Sequence, residues 1–324
     1  MLQLAKHQNL EIRPTSFKQY IGQEKIKNTL KIMIGSSQIQ NKVLPHILLY
    51  GAPGSGKTTL ANVIAKESGM KIYYSQGSLF EKKATLLSVL TAIEENTILF
   101  IDEIHSLPKN IEEMLYSVME DFVIDIVLGV DSNSKVVRMK VKPFTLIGAT
   151  TKLEIISKPL RDRFGFLSKM VTYQLSDIKK IIKNNAKIIK IDLDEENINF
   201  IAEYSQLTPR IANNLLARIK DYVVFNNLEN LNHKILMKIF DYLGLYEFGL
   251  NEEHLKYLQT LSESFKNKYV SLDVLAGLLN SSKESITQEI EPALLNFKLV
   301  NKTIRGRQLT QQGEKYLERN LSKQ

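Results

Sequence analysis

The chain has 324 residues, 44% hydrophobic and 24% charged, a balance that fits a globular protein of two or three packed domains rather than a disordered one. It holds no cysteine and five histidines without ligand spacing, which excludes disulfides and thiolate metal sites and leaves Mg²⁺ as the one metal to expect. A formal charge of +8 and a pI near 9.2 agree with a polyanionic partner, although many lysine-rich proteins share that balance. Its apolar runs fall far short of the roughly 20 residues that cross a bilayer. The opening MLQLAKHQNLEIRP lacks the basic start and apolar run of a secretory signal, so the expected address is cytoplasmic, with no membrane partner.

Residues 11–173 alternate short β-rich apolar runs with helical patterns, which predicts βαβ units around a mostly parallel sheet. The expected strands are residues 46–50, 71–75, 97–101 and 143–149. Within this α/β domain, residues 123–143 depart from the alternation. VIDIVLG and VVRMKV are period-two segments joined by VDSNSK, and they predict an inserted β-hairpin. Such a hairpin either extends the sheet at an edge or protrudes as an arm whose apolar face needs a partner.

Beyond residue 173 the pattern turns helical. Ile178, Ile181, Ile182, Ala186 and Ile189 recur at three-to-four spacing, as do Ile211, Leu215, Leu216, Ile219 and Tyr222, so residues 174–246 form a small all-helical domain. Glycines at 244 and 249 mark the next boundary. In residues 247–324 the stretches 271–279 and 283–297 read as a helix-turn-helix pair. Segments 299–302 and 307–310 flank a turn at 303–306, so a winged helix is expected.

GAPGSGKT, residues 51–58, follows the apolar strand HILLY and opens the helical pattern LANVIAKES, the context a phosphate-binding loop requires. Glycines let backbone N–H groups wrap phosphates at a helix start, where the dipole also favours negative charge. Lys57 then reaches the β and γ phosphates of ATP, and the Thr58 hydroxyl ligates Mg²⁺. Farther on, ILFIDE ends a buried strand in two acids at the sheet's carboxyl edge. Asp102 is placed in the Mg²⁺ shell and Glu103 beside the attacking water.

With these motifs the chain resembles the AAA+ ATPases. In that resemblance Thr150 and Thr151, ending FTLIGATT, stand at sensor 1. Arg163 in PLRDRF is an arginine finger for the neighbouring subunit, and Arg210 in TPRIANNLL is sensor 2, with Thr208 as its helix N-cap. Taken alone, each arginine could equally be a surface ion-pair partner. More specifically, IRPTSFKQYIGQ, LLYGAPGSGKTTLA, LFIDEIHSL, MEDFVIDIVLG, PLRDRFG and KTIRGRQLT are similar to the RuvB family over nearly the whole chain. That similarity implies an AAA+ domain at 1–173, a lid at 174–246 and a winged helix at 247–324.

The resemblance further implies a nucleotide pocket containing Ile12, Arg13, Gly54, Ser55, Gly56, Lys57, Thr58, Thr59, Glu120, Asp121, Phe122, Thr150, Arg163, Tyr173 and Arg210. It implies a homo-oligomeric ring, as a hexamer, acting on four-way DNA junctions. The hairpin at 123–143 would dock a RuvA-like junction binder, and a RuvC-like resolvase would be a further partner.

Lys302, Arg305 and Arg307 match the family's DNA-binding wing, and no acid lies between residues 298 and 307. A basic loop tip can grip backbone phosphates without reading sequence. The family's usual wing has arginine then proline where Lys302 and Ile304 stand, and lysine lacks the bidentate fork. Rival functions weigh less: a clamp loader or initiator calls for a clamp-binding peptide or base-reading helix, an unfoldase for an aromatic pore loop. A non-motor nucleotide switch differs in having no coupling between DNA and ATP turnover.

Overall fold

The computed structural model describes residues 12–128, 135–228, 230–265 and 268–321. Two compact units divide it, Met1–Asp177 and Ile178–Gln324.

The first unit is built on α1 (Glu24–Ile39), β1 (Ile47–Tyr50), α2 (Lys57–Ser68), β2 (Lys71–Gln76), α3 (Lys83–Ala92), β3 (Thr97–Asp102) and α4 (Lys109–Asp121). The hairpin β4 (Val123–Leu128) and β5 (Lys135–Lys140) follows, then β6 (Thr145–Thr150), α5 (Lys158–Asp162) and β7 (Phe166–Lys169). Five strands pair in parallel in the order β2-β3-β6-β1-β7. Alternate residues feed opposite faces, as the pleat requires. Leu48, Leu99 and Ile101 join Leu115, Phe144 and Phe164 on one side, while Ile47, Leu49, Ile98 and Phe100 join Leu30, Leu60 and Ile64 on the other. With both faces covered, β3 and β6 are buried almost throughout.

Two differences from the expected strands have local causes. β1 starts at Ile47 because His46 acts through its side chain: Nδ1 accepts from the Leu146 N–H at 2.8 Å and Nε2 lies 3.0 Å from the Met119 carbonyl. β7, unexpected from sequence, is four residues long and half uncovered, so it lacks an apolar pattern; pairing with β1 defines it.

The hairpin forms its own antiparallel sheet, with Ile124 opposite Met139 and Asp125 opposite Arg138, so it is no edge extension of the main sheet. Ile124, Ile126 and Met139 pack on the core of the domain, while Arg138 binds Asp125 through two hydrogen bonds of 2.8 and 2.9 Å on the open face. The expected turn at its tip, residues 129–134, lies outside the described residues.

α6 (Leu175–Ile188) crosses the division between the units. The second unit continues with α7 (Glu195–Glu203), α8 (Pro209–Phe225), α9 (His233–Tyr242), α10 (Glu252–Phe265) and α11 (Leu272–Leu279). α12 (Lys283–Ser285), a π-helical turn (Ile286–Ile290) and α13 (Glu291–Asn296) follow, then β8 (Val300–Thr303), β9 (Gly306–Leu309) and α14 (Gln311–Leu321). The helical segment and the winged helix both lie within this unit. A Cβ on Gly249 would stand 1.9 Å from the Tyr204 carbonyl oxygen, and Gln206 Nε2 donates to the Gly249 carbonyl at 2.7 Å. The wing turn is tighter than expected, with Thr303 paired to Gly306, and α14 adds Tyr316 and Leu317 to the winged-helix core.

Candidate nucleotide-binding site

The sheet order sets β1, β3 and β6 side by side, so the loop after β1, the acids ending β3 and the threonines ending β6 meet at one carboxyl edge. Gly51 N–H donates to the Thr150 carbonyl at 3.2 Å, tying the first and third of these together. Between Tyr50 and α2 the loop turns through Gly54 at φ 73° and Gly56 at φ 94°. Any side chain at Gly56 would meet the Tyr20 hydroxyl at 2.5 Å.

Tyr173 donates to Tyr20 at 3.2 Å, and Tyr20 donates to the Gly56 carbonyl at 3.3 Å, so two buried phenols buttress the loop from behind. Burial pushes both phenols above the usual tyrosine range, which keeps them protonated and able to donate. Lys57 Nζ curls over the loop onto the carbonyls of Gly51 (2.8 Å) and Ala52 (3.0 Å), while Ser55 Oγ is buried without a hydrogen-bond partner. Such an orphaned hydroxyl in a glycine loop at the start of a helix suits a bound phosphate oxygen.

Thr58 Oγ donates to Asp102 Oδ2 at 3.3 Å, and Asp102 Oδ1 accepts from the Glu103 N–H at 3.0 Å. A hydroxyl and a carboxylate this close can share one divalent cation, and Mg²⁺, which keeps water and phosphate in most of its shell, needs no more from a protein. Glu103 sits in the left-handed region, φ 45° and ψ 49°, a conformation costly for a residue with a Cβ and typical of functional positions. Its Oε2 lies 3.1 Å from Thr151 Oγ, which donates to it, and 3.1 Å from His105 Nδ1. His105 Nδ1 also stands 2.9 Å from Thr150 Oγ. Acid, histidine and both threonines thus form one connected group.

Of the residues expected in the pocket, Gly54, Ser55, Gly56, Lys57, Thr58, Asp102, Glu103, Thr150 and Tyr173 are brought together here. Thr59 follows on the first turn of α2. Ile12 is buried and Arg13 exposed, close enough to Tyr74 for its charge to oppose the burial that raises that phenol.

Glu120, Asp121 and Phe122 are not at this edge. They end α4, and Phe122 stacks edge-on against His46 (6.2 Å) and Phe144 (6.1 Å), which precede β1 and β6. Arg163 is there too, three residues before β7 begins, its guanidinium 3.1 Å from Glu120 Oε1 and 4.6 Å from the Tyr116 ring centre. A four-residue strand spans about 13 Å, so these groups stand across the sheet from their own phosphate loop.

Arg210 is exposed on the first turn of α8 in the second unit; Thr208 precedes that helix but does not cap it, its hydroxyl donating instead to the Gln206 carbonyl at 3.1 Å. In the wing only Arg305 stands at the turn. Lys302 and Arg307 lie on the strands and bind Glu291, an acid on α13 that the basic run 298–307 does not include. Sequence does not single out Tyr20 or His105 as site residues, although both fall inside the motifs IRPTSFKQYIGQ and LFIDEIHSL.

A parallel sheet in this order, a glycine loop with its lysine and threonine, and an Asp-Glu pair beside polar sensors define a P-loop ATPase of the AAA+ class. Three family descriptions match along the chain: the Holliday junction DNA helicase RuvB P-loop domain at residues 12–170, the RuvB AAA lid domain at 173–245 and the RuvB C-terminal winged helix domain at 247–318. The chain belongs to the RuvB family. It is 52% identical to the Holliday junction branch migration complex subunit RuvB of Mycoplasmopsis pulmonis, covering 98% of this chain and all of the relative. The subunit of the same name from Orientia tsutsugamushi is 39% identical, over 97% and 96% of the two chains. The solved structure of the Thermotoga maritima RuvB Holliday junction branch migration motor superposes with a TM-score of 0.83 at 35% identity, covering 95% of this chain and 98% of that one.

Proposed function

We propose that the chain is the ATP-hydrolysing motor of a branch-migration complex, moving four-way DNA junctions during recombination and repair. The observation that carries this reading is the connected group Thr58–Asp102–Glu103–Thr151 facing the glycine loop, in a chain with the RuvB lid and winged helix. ATP would lie on the loop, its phosphates against the backbone N–H groups, Ser55 and Lys57, with Ile12, Arg13 and Tyr173 around the pocket. Mg²⁺, held through Thr58 and Asp102, would supply charge neutralisation on the β and γ phosphates. Glu103, anchored by Thr151, would orient the attacking water and take its proton.

Arg163 stands across the sheet, so it is offered to the ATP of an adjoining subunit, together with Glu120, Asp121 and Phe122. That placement supports a ring, which we take to be a hexamer. Arg210, on the lid, would register the γ-phosphate and turn its loss into lid motion. The hairpin of β4 and β5 would dock a RuvA-like junction binder, the wing would hold duplex DNA, and a RuvC-like resolvase would act on the moved junction. The setting is cytoplasmic, in the response to DNA damage.

A branch-migration assay on a synthetic four-way junction, with and without a RuvA-like protein, tests the reading. ATP-dependent strand separation by the wild type and none by Glu103→Gln is the expected result. DNA-independent ATP turnover with no junction movement would instead identify a nucleotide switch.

A further inference from the structure

The wing carries three cations in six residues, and a single buried carboxylate answers two of them. Glu291 is 1% exposed. Its Oε1 accepts from Arg307 Nε at 2.7 Å and its Oε2 from Lys302 Nζ at 2.9 Å and Arg307 Nη2 at 3.4 Å, while the Tyr257 hydroxyl donates to Oε1 at 3.3 Å. Lys302 and Arg307 are directly opposite each other across β8 and β9, a like-charge pair that would weaken the hairpin if no acid stood between them.

Glu291 opens α13 directly after the π-helical turn, and Pro292 follows it. Proline can neither donate to the preceding turn nor tolerate its carbonyl, and a widened turn relieves both conflicts. The base of the hairpin is held a second time: Val270 and Arg307 exchange both backbone hydrogen bonds at 2.8 Å, and a Cβ at Gly306 would lie 2.3 Å from the Val270 carbonyl oxygen. Beyond this double hold project Ile304, fully exposed, and Arg305, which has no ion pair among the described residues.

We propose that Glu291 is a positioning residue that fixes the wing and withdraws Lys302 and Arg307 from DNA, leaving Arg305 as the one of the three that meets a duplex phosphate. This rests on the wing being the element that holds DNA. The charge run therefore overstates the contact: one phosphate, not three, is neutralised by these residues. Arg307 serves the fold, and Lys302 divides its charge between Glu291 and solvent.

Each phosphate neutralised adds about 0.9 to the slope of log affinity against log salt for duplex DNA. The full-length chain is therefore titrated with a labelled duplex at several salt concentrations. Arg305→Ala is expected to make the slope shallower by about 0.9 for each wing on the duplex and Lys302→Ala to leave it unchanged. Glu291→Gln, which frees Lys302 without removing any cation, should steepen it by about 0.9 for each wing on the duplex, a gain that misfolding would not produce. A Lys302→Ala slope that falls as far as that of Arg305→Ala, or a Glu291→Gln slope no steeper than the wild type, overturns the proposal. Should Arg305→Ala bind as the wild type does with an unchanged slope, DNA contact lies off the wing, and the reading beneath the proposal fails with it.

Discussion

Arg163 Nη2 lies 3.1 Å from Glu120 Oε1, at the amino edge of the strands, while the phosphate loop occupies the carboxyl edge. An arginine so placed stands away from its own phosphate loop, and its guanidinium lies 4.6 Å from the Tyr116 ring centre, a cation–π contact. Arg163→Ala should lower ATP turnover by about 10³-fold or more while leaving nucleotide affinity of the isolated subunit unchanged. Mixing Arg163→Ala with Lys57→Ala chains should restore part of the turnover, because some interfaces then pair an intact loop with an intact arginine. Steady-state ATPase measurements across mixing ratios show it, and a flat profile would argue against shared sites.

Glu103 is held by Thr151 at 3.1 Å in a backbone conformation that its side chain would not choose alone. Glu103→Gln removes the proton acceptor and should lower turnover by about 10²- to 10⁴-fold with ATP still bound. Thr151→Val removes only the anchor, so about a tenfold fall in kcat with little change in KM is expected. Equal losses in both parameters would mean that Thr151 acts in binding instead.

Gly56 and Gly69 both have positive φ, 94° and 72°, but only Gly56 faces a neighbour, the Tyr20 hydroxyl 2.5 Å from its would-be Cβ. Gly69→Ala should cost about 1–2 kcal/mol, the strain of a left-handed residue with a Cβ. Gly56→Ala should exceed that and also weaken ATP binding, because Tyr20 or the loop must move. Thermal unfolding with and without ATP separates the two, since the ATP-induced rise in Tm persists in Gly69→Ala and shrinks in Gly56→Ala.

The main sheet was legible in sequence wherever a strand is covered on both faces. TILFID and TLIGAT read as apolar runs because they contact helices above and below. β7 was not, since FLSK is short and half uncovered and owes its conformation to β1. The loop residues of the site were legible for a local reason: phosphate binding needs glycine, lysine and threonine at fixed spacing along one segment. The buttress of Tyr20 behind Gly56 joins residues 36 apart, and the clasp of Glu291 on Lys302 and Arg307 joins a helix to a hairpin, so neither leaves a pattern in a window of sequence. Lys302 and Arg307 read as part of an unpaired basic run because their acid, Glu291, lies outside it.

His254 in α10 supplies a pH dependence of stability. Its Nε2 is buried without a partner and its other ring nitrogen contacts Asn251, so the ring is sealed in its neutral form, and burial pulls its pKa down to about 4 from the ordinary 6.5. The unfolded chain then binds a proton that the folded chain refuses between those values, so stability rises with pH across this window. The stabilisation is complete above about pH 6.5 and drains away as the pH falls toward 4. A shift of this size corresponds to about 3–4 kcal/mol at most, at 1.36 kcal/mol per unit. Denaturant midpoints measured from pH 7 to pH 4 should fall for the wild type and fall less for His254→Gln, whose side chain has no proton to gain. Parallel curves for the two proteins would show that other groups govern the acid limb.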